Sequence, residues 1–94
     1  MALLGSCTKQ PREVLDFDID YSTVLLGRSD TITGVTLEVA PAGLTLSAAV
    51  VTGAVSKQKI STGTTGITYK VTALATSSAG LVYEDEINVL VEEV

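Results

Sequence analysis

The side chains in this sequence that could do chemistry are mainly carboxylates, and they form two short groups. Three aspartates are spaced two residues apart in the first group, and three acidic residues are consecutive in the second. The groups are Asp16, Asp18 and Asp20, and Glu84, Asp85 and Glu86. Carboxylate oxygens are ligands that Ca²⁺ prefers, and a pair of carboxylates can act as acid and base in glycoside hydrolysis. Cation binding and acid–base catalysis are therefore the chemistries to test against the rest of the chain.

Neither group has the residues that such chemistry needs around it. An EF-hand loop beginning at Asp16 requires glycine at its sixth position and glutamate at its twelfth, where this chain has Tyr21 and Gly27. A loop could still complete a cation site there, but we interpret the aspartates as a solvated strand face. Nothing in the sequence supplies a concave site or a positioning arginine for the second group. We interpret it as an exposed strand face as well.

Other catalytic and metal sites are limited by composition. The chain has no histidine and one cysteine, Cys7, which excludes Ser–His–Asp and Cys–His catalysis, histidine metal sites and structural zinc. The net charge of −5, with six basic residues, argues against a nucleic-acid surface. The chain contains no run of about 18 apolar residues, the length that is needed to cross a membrane. We predict no enzymatic activity, no cofactor and no metal.

The three aspartates are positioned by a strand. Leu15, Phe17, Ile19 and Tyr21 alternate with the aspartates, and alternate side chains of a strand point to opposite faces. The sequence thus predicts a half-buried strand with an acidic outer face. A turn is expected at Arg28–Asp30.

The strongest strand signal is a hairpin between Gly63 and Val91. Two alternating runs, 67–76 and 81–91, flank the turn residues 77–80. Tyr69 is expected either to be a corner tyrosine of an immunoglobulin-like sandwich, with its hydroxyl bonded to nearby backbone, or an ordinary half-buried strand residue. Asp85 falls on the apolar face, so we expect it near a sheet rim or beside a bulge.

Further strands are expected at 31–39, 44–52 and 54–61. Gly34 predicts a bulge or a close approach of another backbone in the first of these, and Lys57 and Lys59 are expected to protect a sheet edge. Strands at a spacing of about 8–12 residues, without a helical period, are typical of a sandwich. We expect an all-β, immunoglobulin-like or fibronectin III-like sandwich of six to seven antiparallel strands over residues 14–94. Residues 1–13 are expected to form an extended N-terminal arm.

Two stretches carry a family pattern. The first has Lys-x-Pro-x-Glu-x-Leu-Asp from Lys9 to Asp16, then an Asp–aromatic pair, Gly27 and Asp30-Thr31-Ile32; the second is the hairpin from Gly63-Thr-Thr-Gly66 to Glu84-Asp-Glu86. Over residues 9–91 the chain resembles small immunoglobulin-like proteins from the structural-gene clusters of tailed bacteriophages and prophages. Some of these are adaptors between tail or neck and fibre.

The resemblance implies a virion structural or connector protein that acts through protein–protein contacts. Its partners would be other phage structural proteins and further copies of the chain, without nucleic acid or membrane. It would be located in the virion, and in the host cytoplasm during assembly. The candidate partner-binding residues are Arg12, Asp16, Asp18 and Asp20. The alternative is an adhesion or carbohydrate-binding module of a bacterial surface protein, which would need an export signal and usually an exposed stacking aromatic.

Overall fold

The chain folds into eight strands in a computed structural model that describes residues 2–22, 25 and 30–93. The strands are β1 (Ala2–Lys9), β2 (Leu15–Asp20), β3 (Ile32–Ala40), β4 (Leu44–Leu46), β5 (Val50–Thr52), β6 (Val55–Thr62), β7 (Ile67–Ser77) and β8 (Val82–Val91). The predicted all-β class is confirmed. The turn predicted at Arg28–Asp30 lies, apart from Asp30, outside the described residues.

The strands form two sheets that face each other. The first sheet has the order β1-β8-β7-β3, and the second has the order β2-β6-β4, with β5 also paired to β6. The hairpin of β7 and β8 is antiparallel and keeps one register from Ile67–Val91 to Thr76–Val82. Every second residue of β7 from Tyr69 onward is buried, as the alternating sequence predicts.

The core lies between the sheets in two clusters. One contains Tyr69, Val71, Val89 and Val91 of the hairpin together with Leu44 and Ile60 of the second sheet. The other contains Ile19, Tyr21, Ile32, Ala73 and Ala75. Branched apolar side chains from both sheets thus fill the space between them, which is how a sandwich excludes water.

The expectation of six to seven antiparallel strands is wrong in two respects. Residues 2–9, within the stretch expected to be an arm, form β1, which pairs in parallel with β8. The single strand expected at 44–52 is divided into β4 and β5, because the three residues between Leu46 and Val50 face only two residues of β6. There the Ser47 hydroxyl replaces a strand carbonyl by accepting the Lys59 N–H at 2.8 Å.

The predicted edge role of Lys57 and Lys59 is also wrong. Both lie on β6, which is the central strand of the second sheet because β2 pairs with one side of it and β4 and β5 with the other. The predicted bulge at Gly34 is confirmed, since the register of β3 against β7 shifts between Ile32 and Gly34.

Tyr69 makes the backbone bond predicted for a corner tyrosine. Its ring is fully buried, and its hydroxyl accepts the backbone N–H of Thr64 at 2.9 Å. The bond holds the turn before β7 against the core.

A buried cation fixes the turn between β1 and β2. Lys9 is fully buried, and its ammonium donates to the carbonyls of Gln10 (2.7 Å), Pro11 (3.2 Å) and Thr62 (2.6 Å). The Glu13 carboxylate accepts the Gln10 N–H at 2.7 Å, and the Glu13 N–H donates to the Gln10 carbonyl. The spaced lysine and glutamate of the first motif therefore have a structural role, which is to join β1, β2 and the end of β6.

Candidate protein interface

The three aspartates of β2 lie in a row on the outer face of the second sheet. Asp16, Asp18 and Asp20 are exposed, while the alternate residues Leu15, Phe17 and Ile19 turn inward. At about 3.3 Å per residue the row is roughly 13 Å long. The predicted strand with an acidic outer face is confirmed. We call Asp16, Asp18 and Asp20 the aspartate row.

Lys57 partly neutralises the aspartate row. Its ammonium lies 3.9 Å from a carboxylate oxygen of Asp16 and 3.8 Å from one of Asp18, and all three side chains are at least half exposed. Exposed pairs of this kind contribute only about 0–1 kcal/mol to stability. A cation from another molecule could therefore replace Lys57 at little cost. The sequence could not reveal this contact, because it depends on the register between β2 and β6.

The aspartate row also lies on a free strand edge. Tyr21, the residue after β2, donates its N–H to Ala54 at 2.8 Å. In an antiparallel pair, residues that bond toward the partner alternate with residues whose N–H and C=O point away. Phe17 and Ile19 therefore bond toward β6, and the backbone groups of Asp16 and Asp18 point outward from the sheet.

The fourth predicted residue, Arg12, lies apart from the row. It is exposed in the turn between β1 and β2, beside Pro11 and Glu93 in a shallow groove. It forms no ion pair within the part of the chain that the structure describes. Arg12 thus belongs to the end of the sandwich that Lys9 fixes, and the aspartates belong to its outer face.

Asp20, the last member of the row, is held locally. Its carboxylate accepts the backbone N–H of Ser22 at 2.9 Å, and this bond lowers the pKa of Asp20. The aspartate therefore remains ionised at neutral pH, and it ends β2 with a turn in which its own side chain takes part.

The second acidic group is less exposed than the sequence predicts. Glu84, Asp85 and Glu86 are half-buried because β8 lies between β1 and β7. Glu86 pairs with Lys70 at 3.1 Å, on the outer face of the first sheet. Asp85 is directly opposite buried Ala73, and the register of β8 against β7 has no shift there. The expected bulge lies on the other side of β8, where the register of β1 shifts between Leu3 and Gly5, next to the partner of Asp85.

The carboxyl of Asp85 influences the buried Tyr21. Tyr21 is 2% exposed, and its hydroxyl has no hydrogen-bond partner among the described residues. Burial, with a smaller effect of the Asp85 charge, raises the pKa of Tyr21 to about 12. Burial also raises the pKa of Asp85. Both groups thus stay protonated more readily than in water, and neither lines the cleft beside Val50, the groove beside Arg12 or the space beside Cys7.

The described residues do not form the other sites considered above. No three acidic or cysteine side chains within 2–22, 25 and 30–93 are placed to hold a metal ion. All four aromatic rings point inward: Tyr21 and Tyr69 are buried, and Phe17 and Tyr83 pack against the second core cluster. No helix among the described residues has the length and apolar character to cross a membrane.

The comparison with known proteins gives one family. The sequence model of the family described as podophage GP4 fiber-tail adaptor protein gp77 matches residues 9–90. The match begins at Lys9 and includes the whole aspartate row. A search of curated proteins finds no match to the chain.

Proposed function

Since the chain belongs to the podophage GP4 fiber-tail adaptor protein gp77 family, we propose that it is a virion structural protein that joins fibre to tail by protein–protein contacts, without catalysis. The family match over residues 9–90 is the observation that carries this proposal. The protein would be assembled in the host cytoplasm and would remain in the particle. Neither nucleic acid nor membrane has a role in this proposal.

The fold we propose for this role is an immunoglobulin-like sandwich. The order of strands supports it, because β2-β6-β4 and β8-β7-β3 have the B-E-D and G-F-C arrangement of immunoglobulin domains. The hydroxyl of Tyr69 bonded to upstream backbone is a second feature of those domains. The proposed domain limits are 14–94, and the stretch before them, expected to be an extended arm, contributes β1 to the first sheet.

We propose the aspartate row as the contact surface for another virion protein, with Arg12 as a separate contact at the end of the sandwich. The row is exposed and lies on a β-strand, and among the described residues Lys57 is the one cation that pairs with it, through two weak contacts. Complementary charge across an interface increases the rate of association and selects the partner. Several copies of the chain are expected in a symmetric ring around the tail, where neighbours would cover open sheet edges.

The experiment is the removal of the gene from the phage or prophage that encodes the chain. Particles without the protein should lack fibres while retaining tails, and expression of the wild-type chain should restore the fibres. Particles that carry fibres without the protein would refute the adaptor role.

The contact surface is tested in the same complementation assay. Asp16→Lys with Asp18→Lys should fail to restore fibres, although circular dichroism shows a folded sandwich. The matched control, Glu38→Lys with Glu92→Lys, makes the same change of charge at exposed residues outside β2 and should restore them. Equal restoration by both variants would exclude the aspartate row.

A further inference from the structure

The free edge of β2 and the space beside it indicate how a partner would bind. β2 is at the end of the second sheet, and no strand of the described residues pairs with its outer side. The backbone N–H and C=O groups of Asp16 and Asp18 point to that side, as the bond from Tyr21 to Ala54 establishes. An extended segment could therefore be added to the sheet at this edge.

An apolar slot opens between β1 and β2, next to the same edge. It has a volume of about 170 Å³ and is lined by Gly5, Ser6, Cys7, Phe17 and Ile87. This is several times the roughly 30 Å³ that a water molecule takes up in the liquid. The space beside Gly5 is open, since a Cβ built on it would meet no atom within 4 Å. The slot can accept an apolar side chain from outside.

These two features define the chemistry of one occupant. In a strand added to β2, side chains directly opposite Asp16, Asp18 and Asp20 would lie on the same outer face of the sheet as these aspartates. A side chain opposite Phe17 would lie on the inner face, where the slot is. We propose that a partner protein adds a strand to the free edge of β2, in which basic residues alternate with apolar ones. The basic residues pair with the aspartate row, and one apolar residue fills the slot. This inference rests on the proposed use of the aspartate row in assembly.

A second copy of this chain that presents its own β2 does not fit as the occupant. Two β2 strands paired edge to edge would bring their aspartate rows together, and like charges directly opposite each other destabilise a sheet. The aspartate row thus protects the edge from self-association and leaves it available to a basic strand.

The test uses the isolated protein and a synthetic peptide that alternates lysine and valine over about six residues, the length of β2. Amide hydrogen exchange measured by NMR should slow at Asp16 and Asp18 by at least about tenfold when the peptide is in excess. The amide of Glu38, on the edge strand β3 of the other sheet, is the internal control and should not change. If amide exchange slowed at Glu38 and not at Asp16 and Asp18, the peptide would be binding to β3, and the assignment of the binding edge to β2 would be overturned.

Two matched peptides separate strand addition from attraction between charges. One has the same residues in an order without alternation, and the other carries N-methyl groups on the amides that would face β2. Each keeps the charge but should bind at least about tenfold more weakly than the alternating peptide. The reordered peptide cannot place all its lysines on the face of the aspartate row, and the N-methylated peptide loses the backbone ladder. Equal affinity for the three peptides would show an electrostatic contact without strand addition and would overturn the proposal.

The slot is tested through Cys7, the single cysteine of the chain. Alkylation of its thiol with a bulky maleimide should fill the slot and weaken binding of the alternating peptide. A peptide with serine in place of valine should bind more weakly from the start, and alkylation should leave its affinity unchanged. The same loss for both peptides, or no loss for either, would exclude the slot. The peptide assays use only the isolated protein, so a negative result would refute strand addition at β2 without refuting the adaptor role. The gene-removal assay tests the adaptor role alone.

Discussion

Replacement of Lys9 by methionine should destabilise the sandwich more than any other single lysine change. Lys9 is fully buried, and its ammonium donates to three carbonyls, of which that of Thr62 lies on β6 and those of Gln10 and Pro11 in the turn after β1. Hydrogen bonds from a charged donor contribute about 1.5–3 kcal/mol each. Burial of an ammonium costs several kcal/mol, which offsets much of that sum. We expect Lys9→Met to lower the free energy of unfolding by roughly 2–4 kcal/mol, since the carbonyls lose their donor.

This loss is large relative to the total stability of a small domain, which is about 5–15 kcal/mol. Because about 1 kcal/mol changes the melting temperature of a domain of this size by roughly 4–8 °C, the melting temperature should fall by at least about 8 °C. Urea unfolding followed by circular dichroism gives the free energy directly. Lys59→Met, at an exposed position of β6, is the control and should change it by less than about 0.5 kcal/mol. A Lys9→Met protein as stable as the wild type would show that burial of the cation has no net benefit and would refute this reasoning.

Three further predictions concern the turns. Tyr69→Phe removes the acceptor of a backbone N–H and should lower the free energy of unfolding by about 1 kcal/mol in urea titration, whereas no change would mean that water replaces the hydroxyl. Gly63→Ala adds a Cβ 2.6 Å from Val91 at a φ of 105°, so it should cost more than Gly66→Ala, which meets no atom within 4 Å at a φ of 86°; equal costs would contradict the contact. Asp30 accepts hydrogen bonds that lower its pKa from 3.8 to about 2, so its contribution to stability is present above pH 3.8 and is lost as the pH falls through 2. Asp30→Asn should therefore flatten the pH dependence of the urea midpoint in this range, and identical profiles would contradict it.

The hairpin and the aspartate row could be predicted from sequence because their signals are local. Alternation along 67–76 fixes which face of β7 is buried, and alternation along β2 fixes which face carries the aspartates. The bond of the Tyr69 hydroxyl follows from its position just after a glycine-rich turn. Gly34 marks a bulge for the same local reason, since glycine weakens a regular strand.

The features that could not be predicted depend on contacts between distant segments. β1 contains glycine and serine without alternation, and its parallel pairing is set by β8 at the other end of the sequence. The sequence alone favours an edge position for Lys57, because only the pairing of β2, β4 and β5 reveals that β6 is central. Burial of Lys9 depends on the carbonyl of Thr62, 53 residues away. A charged residue is so rarely buried that no local pattern indicates it.

The most direct test of the adaptor account is electron cryomicroscopy of the particle that carries this protein. We predict density for a two-sheet sandwich between tail and fibre, repeated around the tail axis, with the aspartate row of β2 in contact with a different virion protein. A particle in which this density is absent from the junction, or in which β2 faces solvent in every copy, would contradict the account.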